Sequence, residues 1–176
     1  MKRLALAVLE YGLGFLALAV FAAVAFGSGA PSDDRLIGAF KLGAVLAAIE
    51  LGVLLLRTAP ANRLIIGANL WLLAGGAAAL SEQWWWLRGY QRLGETSLFA
   101  SMLVVGVAAT VFTPGGFIAV TGPRRRVALA SLVLLVAVGA AGAVSMLFRG
   151  DVTWAAVVPV IALSWLNRLL ARAVVR

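Results

Sequence analysis

The sequence predicts an all-α polytopic membrane protein, a single domain over residues 1–176 built as a bundle of six transmembrane helices with both termini cytoplasmic. Three observations predict it. The chain is 63% apolar and 12% charged, with a mean hydropathy of +1.02, where a soluble domain carries about a quarter charged residues. Apolar runs recur at close to the ~20 residues that a helix needs to cross ~30 Å of hydrocarbon. The arginines gather at the ends of those runs, as topology signals do.

The first run, Leu4–Gly27, follows "MKR" and ends in the small residues "GSGA". It resembles a signal peptide, but it exceeds the usual apolar region of roughly 7–15 residues, and Pro31 would follow the cleavage site. It is therefore expected to be a retained first span. The second run is Leu36–Leu56, with Ser32 or Asp33 placed to cap it. The third, Leu64–Leu80, is short.

Residues 81–97, "SEQWWWLRGYQRLGETS", form the one long polar segment. Trp84, Trp85, Trp86 and Tyr90 read as membrane-interface anchors, because their rings are apolar while the N–H or O–H wants water. Trp86, Tyr90 and Leu93 fall at i, i+4 and i+7 of a short interfacial helix around 84–93. Arg88, Gln91 and Arg92 then face water or headgroups. The alternative is an aromatic lid over an outward-facing pocket, with Arg88 and Arg92 drawing an anion.

The fourth run is Leu98–Val120 and contains "TPGG" at 113–116. Proline frees a backbone carbonyl and glycine lets the helix unwind. The fifth is Val127–Phe148. The sixth, Val152–Ala171, carries Pro159 and is capped by Asp151. The intervening "RGD" at 149–151 reads as a chance tripeptide in a tight turn.

Charge sorting supports six spans. With the N-terminus inside, the inner segments hold Lys2, Arg3, Arg57, Arg63, Arg124, Arg125, Arg126, Arg168, Arg172 and Arg176. The outer loops hold Arg35, Arg88, Arg92 and Arg149. The net charge of +8 is explained this way, without nucleic acid. The Ala/Leu/Val/Gly/Arg bias suggests a bacterial cytoplasmic (inner) membrane.

There are no cysteines and no histidines, which excludes disulfides, imidazole metal sites and His-based triads. No cofactor and no metal are expected, and no enzyme activity. A lipid-active enzyme using carboxylates or hydroxyls, with Arg124–Arg126 on a phosphate, is the weakest of the three functional readings.

Charges inside spans are the better clue, since each costs ~2.5–3.5 kcal/mol at a helix centre. Glu10 lies six residues into the first span and Glu50 six residues before the end of the second, each ~9 Å below the inner surface. Asn69, Thr113 and Tyr11 fall at matching depth. Together these five form a candidate polar layer for a substrate, an ion or protons. The bland alternative is that Glu10 pairs with Arg3 or Arg57, and that Asn69 is interhelical glue. Lys41 and Glu50 are nine residues apart and so lie on opposite faces of one helix; Lys41 is expected to snorkel outward.

The sequence thus points to a small transporter or channel-like protein with a polar intramembrane site near the cytoplasmic side. The alternative is a non-catalytic membrane subunit that assembles with or stabilises a larger complex. Small residues such as "AGGAAA" at 74–79 permit close helix contact within the chain, in a homo-oligomer or with that complex. The lipid bilayer is the one partner common to both.

Overall fold

The structure is a computed structural model that describes residues 14–29, 31–56 and 61–175. Among them every regular element is helical: α1 (Leu16–Phe26), α2 (Asp33–Leu56), α3 (Arg63–Leu80), α4 (Trp84–Leu93), α5 (Thr96–Phe112), α6 (Arg124–Leu147), a π-helical turn (Thr153–Val157) and α7 (Val158–Val175). Four helical stretches are long and apolar enough to cross a membrane: α2, α3, α6 and the continuous Thr153–Val175. A fifth is added if α4 and α5, bent by 100° at their junction, count as one broken span. Of the expected first span, the described part forms α1.

The polarity of the helices is compatible with a multi-pass membrane protein. Leu55, Leu56, Phe112 and Leu147 are each more than 80% exposed, while Asn69, Ser131 and Ser145 are fully enclosed. Water would penalise so much bare apolar surface; lipid does not.

The expected fourth span is cut short. α5 stops at Phe112 instead of running to Val120, because Pro114 drives the residue before it out of the helical region. Thr113 is extended, at φ −125° and ψ 141°. Residues 114–119 then form consecutive turns, with Gly116 and Ala119 both at positive φ. This segment tucks inward: Phe117 and Ile118 are buried, and the Phe117 N–H donates to Ser131 Oγ at 2.8 Å.

The chain divides into two compact units, residues 1–57 with 68–88, and residues 58–67 with 89–176. In the first, α1 packs on α2, and the core is aromatic. The rings of Phe21, Phe40 and Trp71 lie pairwise 4.7–5.2 Å apart, within the range of favourable edge and tilted pairs. Gly75 and Gly76 of α3 let α2 approach, since a Cβ on either would strike the Phe40 ring or Ala44. The glycines of "AGGAAA" thus serve a contact inside the chain.

In the second unit α5 packs on α6, and α6 packs on the π turn and α7. Small residues again set the spacing. A Cβ at Gly67 would lie 2.8 Å from Met102 Cα, and one at Gly106 would meet Phe117 and Leu135. Polar cross-links join the helices: Ser101 Oγ donates to the Gly67 carbonyl at 2.8 Å, and Thr96 Oγ1 meets Ser145 Oγ at 3.3 Å. The π turn stands just before Pro159, whose missing N–H leaves the Ala155 carbonyl without its helical donor.

Candidate functional site

Glu50 lies six residues before the end of α2, and among the described residues two donors hold it. Asn69 Nδ2 donates to Oε2 at 2.9 Å, and the backbone N–H of Ala17 donates to Oε1 at 2.9 Å. Asn69 is 1% exposed, while Glu50 itself is half-buried. All three residues belong to the first unit.

The local backbone explains why Ala17 is available. Phe15 departs from helical geometry, at φ −114° and ψ 12°, so α1 begins at Leu16. The first N–H groups of any helix lack intrahelical partners. Here no side chain of α1 itself caps that end; the carboxylate of α2 does so from across the interface. A negative charge at a helix N-terminus is also favoured by the helix dipole.

Both partners of Glu50 are neutral donors. The arrangement suits the ionised carboxylate, which is acceptor-only on both oxygens. A carboxylate offers about four acceptor sites, and among the described residues two donors reach this one. A half-buried carboxylate among apolar helices is a group that can meet a cation. The other members of the expected polar layer divide. Glu10 and Tyr11 lie outside the described residues. Thr113 belongs to the second unit, where its hydroxyl donates to the Ala109 carbonyl of its own helix at 2.6 Å. Lys41 is exposed on α2.

The interfacial segment is a helix with Trp84 and Trp85 more than half exposed and Trp86 partly covered. Trp85 Nε1 donates to Gln83 Oε1 at 2.8 Å, and its ring meets that of Trp86 edge-on. Arg88, Gln91 and Arg92 are exposed. Tyr90 differs from the expected anchors: it is 7% exposed and packs into protein, while Leu93 of the same expected stripe is 47% exposed. Burial, and after it the negative charge of Glu95, push the Tyr90 phenol above its usual range.

Three features carry little sequence signal. Glu95, expected in an outer loop, is 92% buried at the bend between α4 and α5. The Ala17 donor is backbone, so no residue type marks it, although Gly12 and Gly14 before Phe15 hint at a weak point. The third is the "RGD" turn. Arg149 Nη2 donates to the carbonyls of Gln91 and Arg92, which end α4. Gly150 turns at φ 93°. Asp151 Oδ1 accepts the N–H groups of Thr153 and Trp154 at 3.0 and 3.3 Å. One side chain caps a helix end, the next residue reverses the chain, and the third caps a helix start.

The chain matches no known family model, no curated protein and no solved structure.

Proposed function

We propose that the chain is a six-span protein of a bacterial inner membrane, with both termini cytoplasmic, that passes a cation or protons by way of Glu50. The observation that carries the reading is the seat of this carboxylate. It accepts the N–H of Ala17 in the first turn of α1 and is held by Asn69. Helix N-termini that face an anionic group within the bilayer recur at transporter sites. The bias of arginines toward one set of loops supports the topology.

The test is flux in proteoliposomes. Glu50→Gln keeps the size of the side chain but cannot exchange a proton or attract a cation. Loss of proton or alkali-cation flux, with a monodisperse and folded variant, supports the reading. Wild-type flux in that variant refutes it.

A second reading is favoured by a separate feature. α2 exposes Lys41 on the same outer surface as Gly38, Leu42, Val45 and Ile49. A basic group among lipid-facing residues suits a non-catalytic subunit whose partner helix carries a carboxylate. Native mass spectrometry of protein extracted gently from its own membrane separates the two. A stoichiometric partner subunit favours this second reading, and a monomer or homo-oligomer favours transport.

A further inference from the structure

The second unit contains a polar cluster that the transport reading does not use. Asn62 precedes α3 and caps it, its Oδ1 accepting the Leu64 N–H at 3.0 Å. The same oxygen accepts Asn167 Nδ2 of α7 at 3.4 Å. What remains is unusual. Asn62 Nδ2, Arg63 Nη1 and Asn167 Oδ1 are all buried and have no hydrogen-bond partner among the described residues. Asn167 is 94% buried as a residue.

More than 90% of buried polar groups in native proteins are partnered, because leaving one dry forfeits its hydration without replacement. Three such atoms, on two consecutive residues and on the side chain hydrogen-bonded to one of them, make a cluster of polar groups available to a ligand. Their chemistry defines it. Two are donors, one of them on a permanently charged guanidinium, and they sit at the N-terminus of an 18-residue helix. That combination binds a phosphate-type anion. The third atom is an acceptor, so the occupant must also carry a hydrogen-bond donor.

The surroundings indicate where such a group comes from. A Cβ at Gly122 would lie 2.7 Å from Val174, so the chain entering α6 meets the last turns of α7. This end of the unit therefore holds Arg124, Arg125 and Arg126 along with Arg168 and Arg172. In the proposed topology it faces the cytoplasmic leaflet, where anionic headgroups and basic residues attract one another.

We infer that Asn62, Arg63 and Asn167 form a site for the headgroup of a phospholipid that joins a phosphate to a hydrogen-bond donor, an ammonium or a hydroxyl. Arg63 and Asn62 take the phosphate oxygens, and Asn167 Oδ1 accepts from the donor. The inference uses only the second unit and the membrane setting, so it stands or falls separately from Glu50.

The test is lipid competition on the full-length protein. The purified protein is given equal amounts of phosphatidylethanolamine, phosphatidylglycerol and phosphatidylcholine, and retained lipid is read by native mass spectrometry. Phosphatidylcholine has the phosphate but no donor in its headgroup. Retention of the ethanolamine and glycerol lipids about tenfold over choline is expected, the equivalent of one hydrogen bond. Arg63→Gln should lower retention of all three, and Asn167→Leu should erase the preference while phosphate binding persists. Equal retention of the three lipids by the wild-type protein overturns the site, and needs no variant to fold. So does an Arg63→Gln protein that retains lipid as the wild type does. Thermal stabilisation by inorganic phosphate alone, equal to that by lipid, overturns the assignment to a headgroup.

Discussion

Glu50 of α2 accepts the backbone N–H of Ala17, 33 residues earlier in the chain, at 2.9 Å. A side chain of α2 thus caps the start of α1. Stability is tied to this carboxylate, because whatever changes its charge also changes the cap on α1.

Asn69→Leu removes the donor to Glu50 Oε2 and places an apolar group against a charge. The expected cost is about 1–3 kcal/mol, that of a buried hydrogen bond to a charged partner. Chemical or thermal unfolding in detergent reads it. An unchanged melting temperature would mean that water replaces the amide, and that Asn69 holds nothing in place.

Gly75→Ala puts a methyl group where the Phe40 ring already lies. Phe40 is fully buried and is tied to Phe21 and Trp71, so it has little room to give. Overpacking of this kind costs about 1–3 kcal/mol. Gly38→Ala is the control, with nothing within 4 Å of its added Cβ, and should leave stability unchanged or raise it by up to about 1 kcal/mol through helix propensity.

Asp151→Ala removes the acceptor for two N–H groups at the start of the π turn, for an expected loss of about 1 kcal/mol. The sharper readout is Arg149→Gln, which frees the end of α4 and should raise hydrogen exchange at residues 89–93. No change in exchange would show that Arg149 does not hold α4.

Tyr90 provides a pH test. Its folded phenol ionises above the unfolded value of about 10, through burial and then Glu95. As pH rises through the unfolded value, the unfolded state loses the proton first, so the folded state binds more protons and stability falls with pH. The stabilisation is fully present below pH ~10 and is lost as pH rises through the folded value. Melting temperatures taken across this range should fall more steeply for the wild type than for Tyr90→Phe. Parallel curves would place the phenol in water.

The helical class was legible because its signal is local. Long apolar runs, small residues and terminal arginines report what each segment can bury, whatever its neighbours. Glu50 and Asn69 stood out for the same reason, as polar side chains in apolar surroundings. The end of α5 at Phe112 was only half legible: the proline that stops it was visible, but "TPGG" reads equally as a kink or a stop. That Phe117 then turns inward onto Ser131 depends on a helix that begins later in the chain.

By itself, the sequence determined that the chain builds apolar helices, that it has no cysteine or histidine chemistry, and where charges stand in its spans. Tertiary structure alone decided what those charges touch. Glu50 meets a backbone amide that no residue type encodes, Tyr90 faces protein instead of the interface, and Glu95 is enclosed at a bend. Asn62 and Asn167, 105 residues apart, share a hydrogen bond. Spacing along a helix determines which face a residue occupies, but helix packing decides what lies opposite, and packing arises from contacts between segments far apart in the chain.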